Sequence, residues 1–391
     1  MRIAAASLLV SSCGDSRVSV PIRFTEPGVG SELAAAVSPL HNIGDLLIVG
    51  SVAIGHGACQ LDVLIDSSIG DLFVADSQCA DPARDVGGEV SVRLNSKELT
   101  GVVVRDQVCI YSVCADATFI AAKGPPTRQT SLSVLGLAPR AATEHGALQS
   151  ICAALGQREV VSFFVRRGSY QGSQMILGDP NPSLFVPGSL AYMRAGNGTW
   201  EVRTRLSLGT LDLDLPVLIN PAVPGLVVPQ SVADDFVHQL VQPFFTRYLG
   251  YSVTLHKAVG LDIGLYYVLP CTGVASLAPD VIVYVGSRSY TIPGASLFEQ
   301  QGMSCCVTVQ VVPDEVQSSF VLGVGFMKWA YVVFDSAENR IGVADLAADE
   351  PATVGPVAKW VLAMCLIWWW FRVRSRSRFA GRLQNPLLGR S

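Results

Sequence analysis

Short apolar runs rich in Val, Ile and Leu alternate with clusters of Gly, Pro, Ser, Asn and Asp from Val18 to Val343, the pattern of a mainly β chain. Two stretches read instead as short amphipathic helices packed on sheets, Leu148 to Leu155 and Val232 to Leu249, the second broken at Pro243. In LGTLDLDLP, Asp212 and Asp214 alternate with leucines, which puts both on the exposed face of a strand. The stretch VLIDSSIGDLFVADSQC (63–79) departs from alternation: an apolar run delivers Asp66 to a Ser/Gly turn, and a second apolar run leads away to Cys79. An arbitrary turn aspartate does no more than accept local backbone N–H groups, so Asp66 needs a wider context.

A chain of 391 residues is long enough for two lobes. Apolar residues make up 50% and charged residues 15%, against about 25% charged in ordinary soluble domains, so the excess must be buried in sheet cores or in membrane. Six arginines (372, 374, 376, 378, 382 and 390) follow residue 371, where no acidic residue occurs, and without them the net charge falls from −4 to −10. An acidic body with a basic tail does not fit nucleic-acid binding, whereas arginines beside an apolar segment fit a membrane. WVLAMCLIWWWF (360–371) lies directly before RVRSRSR. It reads as a single-pass anchor with the arginines on the cytoplasmic side, or else as a tail lying on the bilayer. MRIAAASLLVSSC has the charge, apolar and small-residue order of a signal peptide.

Both ends place the body in an oxidising compartment, where cysteines pair. Eight lie between the terminal segments (Cys59, Cys79, Cys109, Cys114, Cys152, Cys271, Cys305 and Cys306), an even number that permits four bridges without fixing the pairing. Vicinal Cys305 and Cys306 are poor zinc ligands and there is no CxxC, so neither a metal nor another cofactor is expected. The five histidines form no HExxH, and no Gly-x-Ser-x-Gly elbow or phosphate-binding loop occurs. Asn197-Gly198-Thr199 is a glycosylation sequon.

Placed in context, IVGSVAIGHGACQLDVLIDSSIGDLFVADSQC resembles the first active-site hairpin of the pepsin-like aspartic proteases, with Gly50, Gly55, Asp66, Leu72, Phe73, Val74 and Cys79 at matching positions. VSVRLNSKELTGVVVRDQV (90–108) is similar to the flap that closes over substrate, and SVLGLAP (133–139) to the apolar-apolar-Gly element beneath the first loop. MILGDP (175–180) resembles the strand ending the first lobe. The segment 267–306 resembles a second-lobe segment whose two ends a disulfide joins, which implicates Cys271 with Cys305 or Cys306. SSFVLGVGFMKWAYVVFDSAENRIGVADL (318–346) is similar to the terminal segment, with Val321-Leu322-Gly323 as a second apolar-apolar-Gly. Two copies of one pattern form an internal repeat. The resemblance therefore implies a mainly β, bilobal pepsin-like acid protease fold, two β lobes with a central cleft, here with a C-terminal transmembrane segment.

The family's chemistry needs two carboxylates sharing one proton, so that one acts as base on water while the other donates to the scissile carbonyl. The best register for the second loop puts Asn220-Pro221-Ala222 where the family has Asp-Thr-Gly, with Asn220 replacing the second aspartate. An amide cannot ionise, and its NH2 can donate to Asp66 and favour the charged form. Other departures follow. Ser67 can supply the hydroxyl that ties the loops together, but Pro221 has neither hydroxyl nor N–H. Ser68 and Ala222 add a Cβ where glycines let backbone approach, and Ile69 and Val223 replace hydroxyl-bearing positions. In the flap, Leu94 stands at the tyrosine position and Asn95-Ser96-Lys97 replaces a glycine-rich tip; Val324 replaces an aspartate. VSVPIRF (18–24) already resembles the first mature strand, which leaves few residues for a blocking prosegment.

The expected organisation is a signal peptide at 1–13, an N-terminal β lobe at 18–180, a C-terminal β lobe at 181–347, a linker at 348–356, a transmembrane anchor at 357–371 and a basic cytoplasmic tail at 372–391. The expected protein is a monomer of the secretory pathway or cell surface that binds a peptide or protein in the interlobe cleft without cleaving it. The competing readings are a divergent active endopeptidase, with Asp66 partnered by another carboxylate such as Asp212 or Asp214, and a scaffold that kept only the fold.

Overall fold

The structure is a computed structural model. It describes residues 36–347 except 44–46, 56–58, 76–78, 80–84, 95–96, 124–132, 140–145, 170, 197, 246–251, 258–263, 270–272, 302–303 and 315–316. The expected signal peptide, first strand (18–24), anchor and tail lie outside these residues, as do Cys271 and Asn197. Among the described residues no helix is long and apolar enough to cross a membrane.

The mainly β expectation is met by a 13-stranded and a 10-stranded sheet among the described residues. The first begins as a meander, with Leu47–Ile54 antiparallel to Cys59–Asp66, and includes the long hairpin of Asp85–Leu94 and Lys97–Ile110. The second holds the strands between Glu201 and Leu322, and the alternation is plain in Glu201–Leu208, where every second residue is buried. Chain order and sheet membership part company at the end. The last two strands, Ala330–Asp335 and Arg340–Asp345, join the first sheet, where Val332 faces Phe163 and Val343 faces Ala191.

That crossing buries residues from both halves of the chain in common. Phe334 makes edge contacts with Phe163 at 5.8 Å and with Trp200 at 5.3 Å, and all three rings are buried. Trp200 also donates its indole N–H to the carbonyl of Leu137, on the segment that supports the first loop. Asp335, buried on the same strand, is held by Arg340 and Arg158.

Two helices form where apolar spacing predicted them, at Ala147–Ala154 and Gln230–Phe245. The expected break at Pro243 does not occur; the helix continues through it to Phe245. Proline removes one N–H and crowds the carbonyl four residues back, but Ala233, Phe236, Val237, Leu240 and Val241 are already buried. Phe236 packs 5.5 Å from Phe320, so the first three turns are fixed before the proline is reached.

Two disulfides are explicit, Cys59–Cys79 and Cys109–Cys114, and Cys305 and Cys306 are also disulfide-bonded. The four bridges that the even count permits are not all formed, because Cys152 is a buried free thiol in the first helix. Its side chain packs in the main apolar core and behaves there as a small hydrophobe. Burial, aided by the charge of Glu159, pushes its pKa up to about 12.

Two outcomes are expected. Iodoacetamide at mildly alkaline pH modifies Cys152 only after denaturation, because the native thiol is both inaccessible and undissociated; mass spectrometry of the peptide around residue 152 reads this. Phe334→Ala lowers stability by about 3–5 kcal/mol in denaturant unfolding, the range for deleting a buried phenylalanine ring.

Candidate active site

Each of the two loops leaves the buried end of a strand held by a parallel neighbour. Cys59–Asp66 pairs in parallel with Ser133–Gly136, with Asp66 opposite Gly136. Leu211–Ile219 pairs in parallel with Phe320–Leu322, with Ile219 opposite Leu322. The apolar-apolar-Gly elements close over the loops in the same way twice. Gly136 N donates to Asp71 O at 3.2 Å and Ala138 N to Ile69 O at 2.7 Å; Gly323 N donates to Gly225 O at 2.9 Å and Val324 N to Val223 O at 2.7 Å. A Cβ at Gly136 would press on the carbonyls of Ile69 and Asp71, and one at Gly323 on those of Val223 and Gly225, so both glycines are required by close backbone approach.

These supports bring Asp66 and Asn220 together, at 0% and 2% exposure. Asn220 Nδ2 donates to Asp66 Oδ1 at 2.8 Å. The orientation of the amide is set by its other end, where Oδ1 accepts Ala222 N at 2.9 Å and Ser67 N at 3.3 Å. Only the oxygen can accept two N–H groups, so the nitrogen must face Asp66. Ser67 Oγ donates across to Ile219 O at 2.6 Å, the inter-loop tie foreseen for it. The mirror-image bonds from position 221 are absent because proline has neither donor. Ser67 reaches across with backbone N–H and hydroxyl, and the Asn220 amide NH2 reaches back to Asp66.

Ser68 does more than the crowding expected of it. Its N–H donates to Asp66 Oδ1 at 2.8 Å, and its hydroxyl donates to the same oxygen. The signal was available in the sequence, since an aspartate accepts the backbone N–H two residues on in an Asx-turn, and a serine at that position adds a hydroxyl donor beside it. Of the six residues in the two triplets, Ser68 is the one partly exposed; Asp66, Ser67, Asn220, Pro221 and Ala222 are all buried.

Apolar contacts fill the places where the resemblance implies hydroxyls. Ile69 packs with Leu64, Phe73 and Ala222, so a second-loop residue enters an apolar cluster of the first half, and Val223 packs with Val227, Val312 and Val321. Val324 is buried as the first residue of a short helical turn, Val324–Met327. In the flap, Leu94 pairs with Lys97 across the hairpin; Asn95, Ser96 and the side chains of Leu94 and Lys97 lie outside the described residues. Asp212 and Asp214 are exposed, as their alternation predicted, and are paired with Arg205 at 2.6 Å and Arg203 at 3.2 Å.

The arrangement holds one ionisable carboxylate and one carboxamide at facing loop ends. Residues 48–346 match the family model described as eukaryotic aspartyl protease. The chain is similar to embryonic pepsinogen of Gallus gallus, 21% identical over 339 residues, covering 80% of this chain and 84% of the relative. It is similar to pregnancy-associated glycoprotein 1 of Bos taurus at 24% identity, covering 78% and 83%, and to renin of Rattus norvegicus at 23% identity, covering 78% and 81%. With the paired loops, their glycine supports and this match over most of its length, the chain belongs to the eukaryotic aspartyl protease family.

Proposed function

We propose that this chain is a membrane-anchored family member that binds a peptide or protein in its cleft and does not hydrolyse it. The observation that carries this reading is the 2.8 Å bond from Asn220 Nδ2 to Asp66 Oδ1. Where the family's reaction needs a second acid able to take and give a proton, this site has an amide, which donates a hydrogen bond to Asp66 but does not exchange a proton with it. The amide oxygen is committed to Ala222 N and Ser67 N, so the side chain cannot turn its acceptor toward Asp66 without breaking both bonds. Asp212 and Asp214, the carboxylates considered as substitutes, are engaged by arginines on an exposed strand face. The terminal segments support a secreted body and a single membrane anchor, and the sequon at Asn197 supports glycosylation, as parts of the same proposal.

The reading is tested by incubating the purified protein with an unfolded protein substrate at acid pH. Wild type is expected to give no cleavage above that of Asp66→Ala, because loss of one member of an acid–base pair costs about 10²–10⁴ in rate. Cleavage by wild type that Asp66→Ala abolishes would establish the divergent endopeptidase instead. Ser67→Ala is expected to lower stability by about 1–3 kcal/mol in thermal unfolding, since it leaves the buried Ile219 carbonyl without its 2.6 Å partner.

A further inference from the structure

The turn after Asp66 presents a hydroxyl where the resemblance implies a glycine. Ser68 Oγ donates to Asp66 Oδ1, and Asn220 Nδ2 donates to that same oxygen at 2.8 Å. Ser68 is partly exposed while the carboxylate and amide behind it are buried. Nucleophile, adjacent base and a third group orienting the base are the parts of an activated-hydroxyl site. We propose that Ser68 is a nucleophile for acyl transfer from esters, with Asp66 as its general base and Asn220 as the positioning residue that holds Asp66. This goes beyond peptide binding and does not depend on it.

The step balances on these residues alone. As Ser68 Oγ attacks the acyl carbon of an ester, its proton passes to Asp66. The tetrahedral adduct collapses, the carbon–oxygen bond to the leaving alcohol breaks, and that alcohol takes the proton back from Asp66. Acyl-Ser68 and free alcohol remain; water attacks the acyl carbon while giving a proton to Asp66, the bond to Ser68 Oγ breaks, and Oγ takes that proton back, so that the carboxylic acid leaves with serine and carboxylate restored. A carboxylate is a weaker base than an imidazole, so it drives attack on carbonyls more reactive than amides. This is why the substrate class is an ester and why the proposal is compatible with an absence of proteolysis.

The groups able to alter the charge of Asp66 can be named element by element. Its own loop carries Asp71; the supporting segments 133–138, 219–225 and 319–327 carry no titratable side chain; the flap hairpin (90–108) carries Arg93, Lys97, Glu98, Arg105 and Asp106. A second carboxylate introduced at position 220 would therefore be the closest like charge to Asp66, and its repulsion would keep a proton on the pair to higher pH.

The test uses the full-length chain in detergent with p-nitrophenyl acetate as probe, following nitrophenol release and mapping the acetyl group by peptide mass spectrometry. Wild type is expected to show a stoichiometric burst with the acetyl group on Ser68. Ser68→Ala should lose the burst, and the near-isosteric Asp66→Asn should slow it about 100-fold or more. Asn220→Asp should keep Ser68 as the labelled residue but move the pH profile of the burst toward neutral, a shift expected only if the Asp66 carboxylate is the group that takes the Ser68 proton. If Asp66→Asn fails to fold by circular dichroism, the Ser68→Ala and Asn220→Asp arms decide. No burst in wild type, acetylation on other residues only, or an equal Ser68 rate in folded Asp66→Asn would overturn the proposal and leave the Ser68 hydroxyl as a local cap on Asp66. Peptide capture by Ser68→Ala, measured separately, reports on the binding reading by itself.

Discussion

A carboxamide facing a carboxylate at 2.8 Å, with neither in contact with bulk water, is the constraint around which the two loops are arranged. A buried carboxylate is costly unless donors surround it, and here Asn220 Nδ2, Ser68 N and Ser68 Oγ converge on one oxygen of Asp66. Two facing aspartates would have to share a proton to sit this close. An aspartate and an asparagine can meet without such a proton, and the amide keeps a hydrogen bond across the loops.

The neighbouring substitutions fit that exchange. Pro221 cannot return the bonds that Ser67 gives, and the loss is offset by apolar contact: Ala222 joins Ile69, Leu64 and Phe73, and Val223 joins a valine cluster of the second half. The junction is apolar at its edges and hydrogen-bonded at its centre. Beneath it the two glycine supports are unchanged in kind, because backbone carbonyls lie where a Cβ at Gly136 or Gly323 would have to go. Scaffold and reaction thus depend on different atoms, and a site can lose the second while retaining the first.

Much of this was legible in the chain. Period-two alternation foretold the exposed Asp212 and Asp214, the 3.6-residue pattern located both helices to within a few residues, and the repeated apolar-apolar-Gly elements marked the loop supports. The pairing of Asp66 with Asn220 was anticipated by matching loop to loop. Other features were hidden because they depend on what lies alongside. A helix passing through Pro243 reflects packing of residues 233–241 that local propensity does not weigh. Cys152 stayed unpaired because it lies on the buried face of a helix, which the parity of a cysteine count cannot reveal.

By itself the sequence determined the mainly β class of fold and the positions of the two loops, because these follow from residue identity and spacing along the chain. Only the tertiary structure decided which way the Asn220 amide points, that Ser68 serves Asp66 with two donors, and that the final strands cross to the first sheet. The physical reason is the same for all three. Hydrogen-bond direction and strand partnership are relations between atoms more than a hundred residues apart or folded onto one another in a turn, and a linear pattern records the groups available without recording which of them meet.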